Sequence, residues 1–317
     1  MTALLGHGNA WEQWRDAMQG ERMHHAWLLA GRKGLGKASF AQAAARELVG
    51  AEPGDRPHPD ILTLTHGPKD DKEDKKRADG KPFELARSIR IAQVRGMQQR
   101  LNTRPTLGDK RAIIIDPADD LERNAANALL KSLEEPPQGT FFLLVTHRPA
   151  RLLPTIRSRC RTLRFPEIGE SDMALLLGEL TPDADQSTRD AAIAAAGGSP
   201  GAALSFVALD LGKVAQVMRQ ILESGDADFS KRGALAASIG ARPDRNRLQA
   251  VLDLARGVLA ARLDAIQGDP RALIHAHEEL VRLTREAPTF NYDAGLLAME
   301  IGTLLAGVAA ASERADA

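Results

Sequence analysis

The sequence predicts an α/β domain with a parallel sheet, followed by a region built of helices alone. In the first half of the chain, short apolar runs typical of buried strands alternate with stretches of helix-forming residues. After Pro166 the strand-like runs stop, and apolar residues recur at the spacing of a buried helix face. Strands that alternate with helices pair in parallel, because each helix carries the chain back across the sheet. We place the α/β domain at residues 1–165 and two helical domains at 166–208 and 209–317.

The predicted elements follow in order along the chain. A strand at 26–30 leads into a glycine-rich turn and a helix at 38–49, and two more strands, at 112–115 and 141–146, enclose a helix at 123–133. The helices expected beyond Pro166 lie at 171–180, 186–196, 201–209, 248–263, 271–285 and 292–311.

An insert at 66–82 interrupts the alternation of strands and helices. It is packed with Lys, Arg, Asp and Glu and has almost no apolar residues. Segments that cannot bury apolar surface stay solvated. We therefore expect a mobile loop, which either faces water or serves as a binding element.

Length and composition exclude several classes of protein. At 317 residues and 34.2 kDa, the chain is long enough for two or three domains with separate cores. Its single cysteine, Cys160, excludes an internal disulfide and a multi-thiolate metal site, and it favours a reducing compartment. Residues 1–20 have no apolar core of signal-peptide length, and the long weakly charged stretches are interrupted by Gly-Pro or Glu. We expect a cytoplasmic protein without a membrane span.

The formal net charge is zero, but the charge is unevenly distributed. Lys and Arg exceed Asp and Glu by 8 up to residue 165, and the opposite excess of 8 follows. A basic half favours contact with a polyanion such as phosphate, a nucleotide or DNA, although charge also simply varies between domains. Aromatic residues make up only 4% of the chain, which disfavours binding of single strands by base stacking.

The glycine-rich turn fits the phosphate-binding pattern G-x-x-x-x-G-K. In this pattern, glycines let backbone N–H groups approach phosphate oxygens, and the lysine reaches the outer phosphates. The candidate nucleotide-binding residues here are Gly31, Gly34, Gly36 and Lys37. The next position requires a Ser or Thr hydroxyl for Mg²⁺, but it is Ala38. The loop is interpreted either as a residual nucleotide site or as a structural turn.

Asp116 ends the second predicted strand, where a nucleotide hydrolase holds its metal through a water molecule. The next residue in such ATPases is a Glu that polarises the attacking water, but here it is Pro117, which cannot accept a proton. Two catalytic positions are therefore missing from one site. This combination argues against hydrolysis by the chain itself.

Two segments resemble a known family. Residues 124–137 read Asn-Ala-Ala-Asn-Ala-Leu-Leu-Lys-Ser-Leu-Glu-Glu-Pro-Pro, and residues 153–160 read Leu-Pro-Thr-Ile-Arg-Ser-Arg-Cys. Both resemble blocks of the AAA+ clamp-loader subunits, the second through its Ser-Arg-Cys signature. The resemblance implies an AAA+ P-loop domain, a small helical lid at 166–208 and a helical collar domain at 209–317. The degenerate site resembles the delta-prime type of subunit of bacterial DNA polymerase III more than the ATP-hydrolysing gamma/tau type, which carries an arginine where Gly201 aligns.

The resemblance implies a role for Arg159. It would be an arginine finger, a side chain that reaches the ATP of an adjacent gamma/tau subunit and neutralises charge in the transition state. The implied partners are gamma/tau and delta subunits, the sliding clamp and primed DNA, in a hetero-oligomer without a membrane. The alternative is that the arginines at 157, 159, 161 and 164 form the exposed face of a strand.

Cofactors and two histidines complete the expectations. Residues 50–62 lack the four-cysteine zinc module of many relatives, so we expect no zinc and no other metal; binding of ATP or ADP without hydrolysis stays open. His24 and His25 either pack near an adenine or are ordinary residues at a strand edge. Two other functions also stay open: an ATP-hydrolysing motor subunit of the same loader, and an AAA+-fold adaptor that does not engage DNA.

Overall fold

A computed structural model describes residues 6–315, apart from 21, 53, 55, 264–269, 288–289 and 291. The chain divides into two compact units, Met1–Ile168 and Gly169–Ala317. The first unit contains a parallel sheet flanked by helices, and the described part of the second unit is helical. The predicted fold class is therefore confirmed. The finer division between lid and collar at residue 208 stays a prediction.

The described residues form one sheet of five strands, all paired in parallel, in the order β2-β3-β4-β1-β5. The strands are β1 (Ala26–Ala30), β2 (Ile61–Leu64), β3 (Arg111–Ile115), β4 (Thr140–Thr146) and β5 (Arg161–Arg164). The three strands predicted from the sequence are those at the centre of the sheet. The two edge strands have only four residues each, which leaves little hydrophobic periodicity to detect.

Helices cover both faces of the sheet. In the first unit they are α1 (Gly8–Gln19), α2 (Lys37–Leu48), α3 (Asp71–Ala78), α4 (Ile91–Leu101), α5 (Arg123–Glu134) and α6 (Pro154–Arg157). Ile113 and Ile115 of β3 share a core with Leu129 of α5 on one face, whereas Ile114 shares a core with Phe40 of α2 on the other. A sheet buried on both faces explains the almost continuous apolar sequence of its central strands.

The expected loop at 66–82 is wrong, because this segment contains the helix α3. The Asp70 carboxylate caps the helix by accepting hydrogen bonds from the backbone N–H groups of Lys72 and Glu73, both at 3.0 Å. The Glu73 carboxylate is buried and accepts hydrogen bonds at 2.7 Å from the Lys76 ammonium and the Glu84 backbone N–H. The composition of the insert predicts solvated charges, but Glu73 and Lys76 pair with each other instead.

The described helices of the second unit include the six expected from the sequence and two more, at 212–224 and 230–239, that were not predicted. They are α7 (Glu170–Leu180), α8 (Gln186–Ala196), α9 (Pro200–Ala208), α10 (Gly212–Ser224), α11 (Ser230–Ile239), α12 (Arg245–Leu263), α13 (Arg271–Glu286) and α14 (Ala294–Ala315). The apolar face predicted for α12 is buried at Val251, Leu252, Ala255 and Leu259. In the described residues no single helix is long and apolar enough to span a membrane, and one bent pair, α9 with α10, passes only by length and composition.

A buried ion pair lies at the start of α11, and its arginine also bonds to α14. The Asp226 carboxylate accepts hydrogen bonds at 2.9 Å from the Arg232 side-chain Nε and from the backbone N–H groups of Lys231 and Arg232. The Arg232 guanidinium in turn donates to the Thr303 hydroxyl at 3.1 Å. Asp226 and Arg232 are both buried. Removing one partner therefore leaves the other charge uncompensated.

We expect Asp226→Ala to lower the free energy of unfolding by about 3 kcal/mol, since it strands the buried Arg232 charge. Urea denaturation of the full chain measures this loss. Asp228→Ala is the matched control, because Asp228 is exposed and accepts hydrogen bonds from nearby Ser230. Equal losses for the two variants would contradict the assigned role of the buried pair.

Candidate functional site

The glycine-rich loop joins β1 to α2. Gly34 and Gly36 have positive φ angles of 85° and 76°, a region that side chains rarely adopt. A Cβ at Gly31 would collide with the backbone carbonyl of Phe165. The backbone therefore requires glycine at these three positions, whether or not the loop holds a phosphate.

Lys37, the first residue of α2, is turned onto its own loop. Only 2% of Lys37 is exposed, and its ammonium donates hydrogen bonds to the carbonyls of Gly31 at 2.7 Å and Arg32 at 2.5 Å. Burial lowers the pKa of Lys37 to about 8, against the opposing effect of Asp116 and Asp119. The ammonium that would meet the outer phosphates is thus engaged by backbone oxygens.

The carboxyl ends of the parallel strands meet at one end of the sheet, which we call the carboxyl edge. Asp116 follows β3 directly and lies at this edge, as does the glycine-rich loop. Burial raises the pKa of Asp116, while the nearby Lys37 and His66 oppose that rise. Sequence and structure therefore agree in bringing Lys37 and Asp116 to one edge. Ala38 and Pro117, which stand beside them in sequence, supply neither a metal-binding hydroxyl nor a carboxylate.

His147, which the sequence analysis missed, lies at the same edge. It follows β4, and its backbone N–H donates to the buried Asp119 carboxylate at 2.9 Å, while the Arg148 Nε donates to that carboxylate at 3.4 Å. Burial and the neighbouring Lys37 lower the pKa of His147 to about 4, so the imidazole is neutral at pH 7. A polar residue directly after a buried strand is the signal that could have identified it.

His7, which the sequence analysis also missed, contacts the glycine-rich loop at Leu35. It is buried, its Nε2 donates to the Leu35 carbonyl at 2.7 Å, and its ring meets the Phe165 ring edge-on at 4.8 Å between centroids. Burial lowers the pKa of His7, while the hydrogen bond to Leu35 opposes that change. No sequence pattern marks His7, because the contact joins residues 28 positions apart.

The carboxyl edge thus fits a phosphate group better than a hydrolytic centre. The start of α2 and Lys37 are the groups that would hold a phosphate. Among the described residues, no group of three His, Cys, Asp or Glu side chains could hold a metal ion. Ala38 and Pro117 have neither a hydroxyl for Mg²⁺ nor a carboxylate to activate water.

Arg159 lies between α6 and β5, at the opposite end of the sheet, where the amino ends of the strands meet. We call this end the amino edge. Its Nη1 donates to the Thr155 carbonyl at 2.8 Å, and its Nη2 forms an ion pair with Glu134 Oε1 at 2.5 Å. One third of the Arg159 side chain is exposed. Because strands rise about 3.3 Å per residue, the five residues of β1 put roughly 15 Å between the two edges. Arg159 is therefore far from the Lys37 loop of its own chain.

The four arginines do not form one strand face. Arg157 is exposed at the end of α6, and Arg161 and Arg164 are exposed on β5, where the Arg161 guanidinium lies 5.1 Å from the centre of the Trp27 ring. Arg159 stands apart from them because it is anchored by Glu134 and Thr155. Arg161 and Arg164 are three positions apart and so lie on opposite faces of β5, and Arg159 lies outside the strand; the strand-face alternative is therefore wrong.

Cys160, next to Arg159, is a half-buried free thiol. Burial raises the pKa of Cys160 to about 12, so the thiol is protonated at neutral pH and is a poor nucleophile. His24 and His25 stack at 4.8 Å at the amino end of β1, and His25 Nε2 donates to the Leu133 carbonyl at 2.8 Å. They lie at the edge away from the glycine-rich loop, which favours the interpretation as ordinary residues at a strand edge.

The lowered pKa of Lys37 predicts a pH-dependent stability. Unfolded Lys37 keeps its proton up to pH 10.5, whereas the folded residue loses it at about pH 8. Between these values the unfolded chain binds more protons, so the stability of the wild-type chain rises with pH relative to Lys37→Met. Urea denaturation of both proteins at pH 7 to 10.5 measures this difference, and parallel pH profiles would contradict it.

The chain is similar to subunits of DNA polymerase III. A family model described as DNA polymerase III, delta subunit, matches residues 6–169, just over half of the chain. The DNA polymerase III subunit delta' of Pseudomonas aeruginosa is 33% identical over 208 residues, which cover 60% of this chain and 58% of that protein. The delta' subunit of Escherichia coli K12 is 31% identical over 220 residues, 64% of this chain and 60% of that protein.

A subunit of another type is similar over a shorter stretch. The DNA polymerase III subunit tau of Escherichia coli K12 is 34% identical over 142 residues, 44% of this chain and 21% of that protein. The chain thus spans at most 60% of the length of these three relatives. Since the family model matches the whole segment from His7 through Arg159, the chain belongs to the DNA polymerase III delta subunit family.

Proposed function

We propose that the chain is a non-hydrolysing subunit of the DNA polymerase III clamp loader, which presents Arg159 to ATP held by a neighbouring subunit. It would act in the cytoplasm, in a hetero-oligomer with gamma/tau and delta subunits, and help to load the sliding clamp onto primed DNA. The observation that carries this proposal is the separation of Arg159 and Lys37 to opposite edges of one parallel sheet.

The position of Arg159 favours action on a second molecule. A guanidinium is a planar group with five N–H donors and suits phosphate oxygens. Arg159 is partly exposed and about a strand length from its own Lys37, so a phosphate held by the Lys37 loop of the same chain cannot meet it. An arginine supplied in this way stabilises charge that develops on the transferred phosphoryl group.

The carboxyl edge supports the absence of hydrolysis. Ala38 and Pro117 replace the groups that would hold Mg²⁺ and activate water, and Lys37 is engaged by its own loop. Gly201, at the start of α9, has no side chain with which to contact a phosphate. A nucleotide would therefore be bound without turnover, by Gly31, Gly34, Gly36 and Lys37 with Asp116 nearby.

DNA contact rests on charge alone. The first unit carries the basic excess, and phosphate contacts by Lys and Arg position a duplex without reading its sequence. The adaptor alternative predicts no stable complex with other loader subunits. Failure of the tagged chain to co-purify with gamma/tau and delta subunits would favour the adaptor over the loader.

We expect Arg159→Ala to slow ATP hydrolysis at the site that this chain serves by roughly 10³-fold, since the charge of the finger is lost. The total steady-state ATPase rate of the reconstituted loader is then expected to fall by the fraction that this one site contributes. Arg157→Ala is the matched control, because it removes an exposed arginine two residues away. Gel filtration verifies that both variants assemble; an unchanged rate for Arg159→Ala in an assembled loader would contradict the proposal.

The purified chain is expected to show no ATP turnover, because its own site lacks the metal-binding hydroxyl and the general base. A coupled ATPase assay on the isolated chain, with Lys37→Ala as the comparison, measures this. Turnover at a rate normal for an AAA+ motor, abolished by Lys37→Ala, would instead establish the motor-subunit alternative.

A further inference from the structure

Besides a 3.5 Å contact from Nη1 to the Ser158 hydroxyl, Arg159 has two short contacts, with groups from different helices. One is the Thr155 carbonyl in α6, which accepts from Nη1 at 2.8 Å, and the other is Glu134, whose Oε1 lies 2.5 Å from Nη2. Glu134 is the last residue of α5. The guanidinium is thus bonded at both terminal nitrogens. Because the group is planar, two such anchors fix its orientation.

The element that carries Glu134 is firmly placed. The preceding residue, Leu133, is buried in the core, and its carbonyl accepts a hydrogen bond from His25 at 2.8 Å. Pro136 and Pro137 follow, and proline cannot continue a helix. The negative end of the α5 helix dipole lies at Glu134 and favours the Arg159 cation beside it. Glu134 therefore offers its carboxylate from a rigid support.

The energetics argue against a role in folding. Exposed ion pairs contribute little to stability, and 47% of the Glu134 side chain and 33% of the Arg159 side chain are exposed. What the pair does provide is orientation, because a free arginine side chain samples many rotamers. Glu134 and Thr155 each engage one N–H donor, and Nη1 also lies 3.5 Å from the Ser158 hydroxyl. At most three of the five donors are thus used within the described part of the chain, which leaves at least two for a second acceptor.

We infer that Glu134 is the positioning residue for Arg159: it holds the guanidinium at the amino edge of the sheet, ready for the phosphate of a neighbouring subunit. This inference rests on the proposed function of Arg159. In this role, Glu134 acts through Arg159 and not on the nucleotide itself. A misplacement of a catalytic group by about 1 Å costs up to roughly 10²-fold in rate, so the loss of this anchor has a measurable effect.

The test uses the reconstituted loader with its full set of subunits. Glu134→Ala is expected to lower kcat at the site that Arg159 serves by about tenfold, with KM for ATP unchanged, because the residues that bind ATP belong to the neighbour. Glu134→Gln is expected to restore most of the rate, since its amide oxygen still accepts a hydrogen bond from Nη2. Glu135→Ala is the matched control for charge, because Glu135 is an exposed carboxylate at the adjacent position.

A double-mutant cycle separates this inference from the proposed function. In an Arg159→Ala background, Glu134→Ala is expected to have no further effect on kcat. If Arg159→Ala slows the loader and Glu134→Ala does not, the positioning role is overturned while the finger stands. If Glu134→Ala raises the rate, Glu134 restrains the arginine, which also overturns the inference. If Arg159→Ala has no effect, the proposed function itself fails.

Discussion

The parallel pairing of the sheet is the constraint on which the rest of the account depends. β1 pairs in parallel with β4 on one side and with β5 on the other, so residues that precede strands share one edge and residues that follow strands share the opposite edge. Lys37 and Asp116 follow strands, whereas Glu134 and Arg159 precede them. The chain therefore carries a phosphate loop and an anchored arginine that cannot meet on one nucleotide. Under the proposed function, a neighbouring subunit supplies the phosphate that Arg159 meets.

The two edges also differ in how their charges are satisfied. At the carboxyl edge, burial lowers the pKa of Lys37, and Asp116 and Asp119 oppose that change in part. The Lys37 ammonium also donates hydrogen bonds to two backbone carbonyls. The loop is closed on itself, and the glycine pattern follows from backbone geometry alone. At the amino edge, Arg159 keeps one third of its side chain exposed and has donors to spare. The amino edge is thus the one that offers an accessible arginine to another molecule.

Local signals explain what the sequence predicted correctly. The central strands and the long helices have clear periodicity, and the blocks at 124–137 and 153–160 are contiguous. The features that were missed depend on contacts between distant residues. His7 meets Leu35 across 28 positions, and Arg232 meets Thr303 across 71. The charged insert misled for a related reason, because composition does not distinguish charges that pair with one another, as Glu73 does with Lys76, from charges that face water.

The most direct measurement of the central claim is a cryo-electron microscopy structure of the reconstituted loader, with wild-type chain, bound to ADP and beryllium fluoride. The account predicts that the Arg159 guanidinium lies within about 3–4 Å of the beryllium fluoride held by the adjacent subunit, the distance of a charge-assisted hydrogen bond or ion pair. It would be contradicted by a well-ordered assembly in which Arg159 faces solvent, or in which a different residue of this chain meets the neighbour's phosphate mimic.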